Sequence, residues 1–164
     1  AKEVKQKEEL RLEGEMDAEV AAVYSLLEKH LGNVERNKTE IGSVIYCTKP
    51  GDGSAREQAA SCQRVLGGVA NICKEYATKR YRSNVINWGM LPFQVRKETE
   101  FAVGDYVYVP HIRTALEGDM NNIQAYLVRK NSIEEVTLYI TDLTSEEREI
   151  IRAGCLINYN RNKK

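Results

Sequence analysis

The stretch Gly51-Asp52-Gly53-Ser54-Ala55-Arg56 constrains this chain more than any other. An apolar run, Ser43-Val44-Ile45-Tyr46-Cys47, precedes it and reads as a buried strand. Behind it Ala55, Ala59, Cys62 and Leu66 recur at helical spacing, which predicts a helix with its small apolar face turned inward. Gly67-Gly68 stops that helix, and Val69-Ala70-Asn71-Ile72-Cys73 reads as a second short strand. A strand, a glycine turn, a helix and a strand make a parallel, right-handed crossover. Such a unit aims the helix N-terminus, with its free N–H groups, at whatever occupies the turn. Ser54 stands where an N-cap belongs, so the sequence predicts a capped helix beginning next to an anion-friendly loop.

Around this unit the chain divides simply. Residues 1–16 are mostly Lys, Glu and Arg and form a charged lead segment; one domain is expected over 17–164. Asp17 is placed to cap a helix over 17–31, with Val20, Ala21, Tyr24, Leu27 and Leu31 on one face and Gly32 as its stop. A helix over 74–88 follows the second strand, with Tyr76, Ala77, Tyr81, Val85 and Trp88 as packing residues; Gly89 and Pro92 end it. Beyond that point the hydrophobic period becomes two. Phe101, Val103, Tyr106, Tyr108 and Val109, then 125–128 and 136–140, read as strands. A last helix starts near Ser145 and carries Ile150, Ile151 and Leu156 inward. The fold class expected is α/β: a swivelling, layered β/β/α domain with a short parallel strand–helix–strand unit and a mainly β second half.

Charge excludes some roles. Lys plus Arg and Asp plus Glu both number 24, so no net field draws the chain to nucleic acid or an anionic membrane. The one basic cluster, Lys74, Lys79, Arg80 and Arg82 with Tyr76 and Tyr81 among them, reads as a solvated helix face, and nucleic acid is disfavoured as a partner. No apolar run approaches the ~20 residues that span a bilayer. Cys47, Cys62, Cys73 and Cys155 are widely spaced with no Cys-x-x-Cys pair, so no metal site is read from them, and a reducing cytoplasm is the expected compartment. His30 suits the last turn of its helix, and His111 has no second ligand at metal spacing.

The longer pattern GDGSAREQAASCQRVLGGVANICKEYA resembles the C-terminal swivel domain of the aconitase superfamily. Gly51, Gly53, Ser54, Arg56, Glu57, Ala59, Ala60, Arg64, Leu66, Gly67, Gly68, Lys74 and Ala77 fall in register with that family's Gly-x-Gly-Ser-Ser-Arg-Glu-His-Ala-Ala and Leu-Gly-Gly elements. Asn84, Gly89-Met90-Leu91-Pro92, and Arg152-Ala153-Gly154 through Asn158 extend the likeness over roughly 41–160. The chain departs from the pattern at Ala55, where the family has a second Ser, and at Gln58, where it has His. Its Lys74-to-Asn84 interval is one residue longer, and the Asp-x-Ile-x-Thr-Asp opening element is missing.

The resemblance implies a hydro-lyase that removes and adds water on a di- or tricarboxylic hydroxy acid. In that family a 4Fe–4S cluster is bound outside the swivel domain, so the cluster is expected in the complete enzyme and not on this chain. Carried over by match, Ser54 is the base, Arg56 binds a substrate carboxylate, and Gly53 and Ala55 line the substrate site. The implied partners are cluster-bearing aconitase domains, in the same full-length chain or on a large subunit, and a small carboxylic acid substrate; the chain is then a fragment or subunit of a larger enzyme. Two other readings stand beside it: the small subunit of an isopropylmalate dehydratase-like enzyme, and a non-catalytic or RNA-binding relative.

Overall fold

The computed structural model of the chain describes residues 2–163. Helix α1 (Lys2–Leu12) has no apolar stripe and is held by polar ties instead. Lys7, only 9% exposed, donates to Glu19 at 2.6 Å and to the Tyr106 hydroxyl at 2.8 Å. Glu8 accepts the Ile41 N–H at 2.9 Å, and Arg11 reaches the Asn37 carbonyl. Helix α2 (Ala18–Leu31) begins as its sequence predicts, with the Asp17 carboxylate accepting from the Glu19 and Val20 N–H groups. Its buried face, Val20, Tyr24 and Leu27, packs with Val34, Tyr126 and Val128 as a satellite core.

The crossover unit comes next. Strand β1 (Ser43–Cys47), helix α3 (Arg56–Val65) and strand β2 (Gly68–Cys73) are joined in the expected order, with β1 and β2 parallel and Ile45 opposite Asn71, Cys47 opposite Cys73. But β1 is an edge strand that leaves Val44 and Ile45 exposed, rather than the buried strand its apolar run predicts. The inward face of α3 is not the expected one. Ala55, Ala59, Cys62 and Leu66 all lie exposed, Leu66 by 53%, while Ala60 and Gln63 are buried. The reason is a polar hook: Gln63 Nε2 donates to the Ala70 carbonyl at 3.0 Å and to Asn71 Oδ1, turning that side of the helix to the sheet. Asn71 Nδ2 in turn donates to the Tyr81 hydroxyl at 2.8 Å, so the buried chain of polar groups reaches the next helix.

That helix, α4 (Lys79–Asn87), starts five residues later than the periodicity suggests. Residues 74–78 cannot be helical because their amides bond elsewhere: Lys74 and Glu75 N–H to the Thr48 carbonyl, Ala77 N–H to that of Pro50. Strand β3 (Leu91–Val95) follows and pairs parallel with β2; sequence reasoning missed it because Pro92 reads as a breaker. Pro92 is tolerated because β3 is flanked there by β2 alone, its pairing with the last strand beginning only at Gln94.

Strand β4 is confined to Tyr106–Tyr108. Phe101 and Val103 fall outside it, in a turn closed by the Asp105 carboxylate accepting the Ala102 N–H at 2.9 Å, and Val103 is fully exposed. After a single turn of helix, α5 (Ile112–Ala115), the hairpin β5 (Ile123–Arg129) and β6 (Ser132–Tyr139) completes the sheet. Strand order is β1-β2-β3-β6-β5-β4, parallel in its first half and antiparallel in its second. The α/β class with a β-rich second half is therefore as read. The halves meet where Gln94 pairs Tyr139 and Val95 pairs Leu138.

The last helix is two helices. Thr144 and Glu147 form a reciprocal capping box at the start of α6 (Ser145–Ala153). Gly154, at φ 86, ends it, and α7 (Leu156–Asn162) carries Leu156 and the buried Tyr159 separately. Gly89 packs directly against this break: a Cβ there would stand 1.9 Å from the Gly154 carbonyl oxygen. The main core lies between, with Ile72, Ile86, Phe93, Leu127 and Leu138 each 2% exposed or less.

Candidate active site

The loop between β1 and α3 is fixed from behind. Gly51, at φ 97, takes a backbone conformation that side chains rarely adopt, and a Cβ on it would meet the Tyr81 Cβ at 2.4 Å. Its carbonyl accepts two hydrogen bonds, from Arg56 Nε at 3.1 Å and from Thr78 Oγ1 at 3.2 Å. The Lys74, Glu75 and Ala77 amides, bonded to the Thr48 and Pro50 carbonyls, tie the loop to the segment before α4. The loop's outer side is open: Gly53, Ser54 and Ala55 are exposed and Arg56 is half-buried. The four predicted site residues are thus brought together on one turn.

Ser54 is not the helix cap that its position predicts. The cap residue of α3 is Ala55, and no side chain accepts from the first turn. The first backbone bond of the helix joins the Ala59 N–H to the Ala55 carbonyl at 3.0 Å, which leaves the earlier amides free for an anion. Ser54 therefore precedes unspent N–H donors and its side chain caps none of them. Arg56 spends its Nε on Gly51, and neither terminal guanidinium nitrogen is engaged by another described residue. What this arrangement can do chemically is bind a carboxylate or an oxyanion at a helix start.

Behind the turn lie groups that burial holds neutral. Cys73, fully buried, has its thiol pushed up to about 12 by desolvation. Burial also pushes the Tyr76 and Tyr81 hydroxyls above their ordinary value. The basic cluster read from the sequence is broken up: Lys74 pairs with Glu98 at 2.7 Å, and Arg82 lies against Glu147 and donates to the Thr141 carbonyl. Two surface clefts, of about 340 and 380 Å³, lie on α6–α7 and between α1 and α2, away from the loop.

The cysteines do not fit an iron–sulfur cluster on this chain. Cys47 and Cys73 face each other on neighbouring strands, Cys62 is exposed on α3, and Cys155 begins α7. Among the described residues no three His, Cys, Asp or Glu side chains gather as a metal site. Also among the described residues, no helix is long and apolar enough to cross a membrane. Of the two residues that hold the loop, Tyr81 is among the packing residues read from the sequence, whereas Thr78 has no role there. Thr78 carries a helix-start signal, hidden because the helix seemed to begin at Lys74.

A glycine turn between a parallel strand and a helix, with Ser54 exposed and Arg56 half-buried on it, makes the chain an α/β protein with an open loop at a helix start; the aconitase C-terminal domain family accounts for that unit. The chain belongs to that family: the aconitase C-terminal domain matches residues 4–98, beginning within α1. It is 30% identical over 145 residues to the methanogen homoaconitase small subunit of Methanocaldococcus jannaschii, covering 86% of this chain and 76% of that protein. It is 29% identical over 124 residues to the mitochondrial homocitrate dehydratase of Saccharomyces cerevisiae, covering 71% of this chain but 16% of that protein. Among solved structures, 3-isopropylmalate dehydratase of Methanocaldococcus jannaschii superposes with a TM-score of 0.53 at 30% identity, over 79% of this chain and 69% of that one.

Proposed function

We propose that this chain is the small, swivel-domain component of an aconitase-family hydro-lyase, and that Ser54 and Arg56 are its catalytic contribution. The relatives carry names of this chemistry: homoaconitase small subunit, homocitrate dehydratase, 3-isopropylmalate dehydratase. Their shared substrate type is a hydroxy acid with two or three carboxylates. The observation that carries the reading is that Ser54 is exposed just ahead of an α3 first turn that no side chain caps, with Arg56, two residues on, bonded through Nε alone.

In the dehydration direction, Ser54 Oγ, as alkoxide, takes the proton from the carbon next to a carboxylate. The C–H pair becomes the double bond, and the hydroxyl on the neighbouring carbon leaves with its C–O pair. A serine alkoxide needs strong stabilisation, which in this reading comes from the first-turn amides of α3 and from Arg56. Arg56 presents a planar fork to a carboxylate, which fixes the carbon acid against Ser54. Ala55 removes one hydroxyl donor from the family's site, so substrate grip falls more heavily on Arg56. A cluster that assists the departing hydroxyl has no ligand set among the described residues here; it would be brought by a cluster-bearing partner, and the open outer side of the loop is where that partner would close the site.

Ser54→Ala in the assembled enzyme tests the base. Since Ser54 does not cap α3, the change should leave the melting temperature within a degree or so, while turnover falls at least ~10²-fold, the scale of general base catalysis. A variant with near-normal hydratase turnover would remove Ser54 from the mechanism.

A further inference from the structure

We propose that Thr78 is a positioning residue for Arg56, acting through the carbonyl of Gly51. A carbonyl oxygen has two acceptor sites, and here both are taken: Arg56 Nε at 3.1 Å and Thr78 Oγ1 at 3.2 Å. The same Thr78 oxygen accepts the Tyr81 N–H at 3.2 Å as the N-cap of α4. Tyr81 is the residue against which Gly51 is packed so closely that a Cβ would not fit. Thr78 therefore closes a short circuit from α4 through the Gly51 carbonyl to the Arg56 side chain. With Nε held, one edge of the guanidinium is fixed, and its two terminal nitrogens have no partner among the described residues. Without the hydroxyl, the Gly51 peptide keeps its seat on Tyr81 but loses one of the two bonds that fix its carbonyl direction.

Thr78 is in this sense a latch on the Arg56 side chain. What it does for turnover rests on the carboxylate-binding reading of Arg56; that it orders the guanidinium does not.

The test separates capping from positioning. Thr78→Ser keeps both the acceptor for Tyr81 N–H and the proton for Gly51. Thr78→Asp keeps the capping acceptor but, ionised at neutral pH, has no proton to donate. The readout is the solvent exchange of the Arg56 Nε–H in the 15N NMR spectrum of this chain, with α4 amide exchange as the measure of capping. We expect Thr78→Asp to speed Arg56 Nε–H exchange roughly fivefold to tenfold, the factor set by one net hydrogen bond, with α4 amides unchanged and Thr78→Ser like the parent. Unchanged Arg56 exchange in Thr78→Asp overturns the proposal, as does loosening in Thr78→Ser equal to that in Thr78→Asp. If Thr78→Asp does not fold, Thr78→Val serves: Arg56 exchange rising no more than that of the α4 amides would reduce Thr78 to a helix cap and overturn the proposal. Arg56→Lys in the assembled enzyme is read separately. A raised KM there with unaffected exchange in Thr78→Asp sinks the latch alone; freed exchange with a normal KM in Arg56→Lys keeps the latch and sinks the carboxylate reading.

Discussion

Cys62 and Cys73 differ by environment, not by type. Cys62 lies exposed on the outer face of α3, whereas Cys73 is fully buried in β2 with its thiol pushed up to about 12. Only a thiolate reacts readily with alkylating reagents. In the native chain at pH 8, iodoacetamide should modify Cys62 first and leave Cys73 untouched until denaturant is added, as mass spectrometry of tryptic peptides would report. Early labelling of Cys73 would mean that β2 opens on its own. The same residue scale decides the site. Ser54 and Arg56 were legible from the Gly-x-Gly-Ser-x-Arg pattern, but the bond from Arg56 Nε to Gly51 was not, since it depends on where Thr78 and Tyr81 arrive from a separate helix.

Helix α3 shows what an element does when its apolar period and its neighbours disagree. The spacing of Ala55, Ala59, Cys62 and Leu66 points that face inward, yet Gln63 finds two acceptors in β2 and a small Ala60 fits under α4, so the helix rolls the other way. Two hydrogen bonds from the buried Gln63 Nε2 outweigh a stripe made mostly of small side chains, even though Gln63 Oε1 is left without a partner. Asn71→Leu removes the middle of the Gln63–Asn71–Tyr81 chain and leaves the Tyr81 hydroxyl and part of the Gln63 amide without partners. The expected cost is about 1–3 kcal/mol, read as a lowered urea midpoint with unchanged slope. Adding Gln63→Met should cost less than the single change implies, because the Asn71 change has already removed one of the two bonds that Gln63 Nε2 makes. A full additive loss in the double variant would show that the polar chain is not a unit.

At the scale of the whole molecule, the buried groups share one direction. Burial raises the Cys73 thiol and the hydroxyls of Tyr24, Tyr76 and Tyr81 above their ordinary values. A group whose folded value lies above its unfolded one stabilises the fold fully below the unfolded value and loses that contribution as pH rises toward the folded one. Unfolded Cys and Tyr ionise near 8.5 and 10, so the window opens above about pH 8.5 and runs toward 12 for Cys73. The melting temperature should therefore be lower at pH 10.5 than at pH 8, measured by circular dichroism at constant salt. An unchanged value would mean that these groups ionise in place without strain on the fold. Long-range contacts hold the molecule across its length as well: the Gly89 backbone meets that of Gly154, and α1 reaches Tyr106 through Lys7.

By itself, the sequence determined the crossover unit, the helix after Asp17, the β5–β6 strands, the capping start near Ser145 and the family to which the chain belongs. Each is written in local period, turn chemistry or a contiguous motif. Tertiary structure decided the rest. It moved the start of α4 to Thr78 by claiming the preceding amides for the Thr48–Pro50 loop, and it made Leu91–Val95 a strand despite Pro92. It also turned α3 over and freed Ser54 from capping. In every case the deciding bond joins residues that local patterning cannot relate, and a backbone or buried amide that finds a partner overrides the period of the side chains around it.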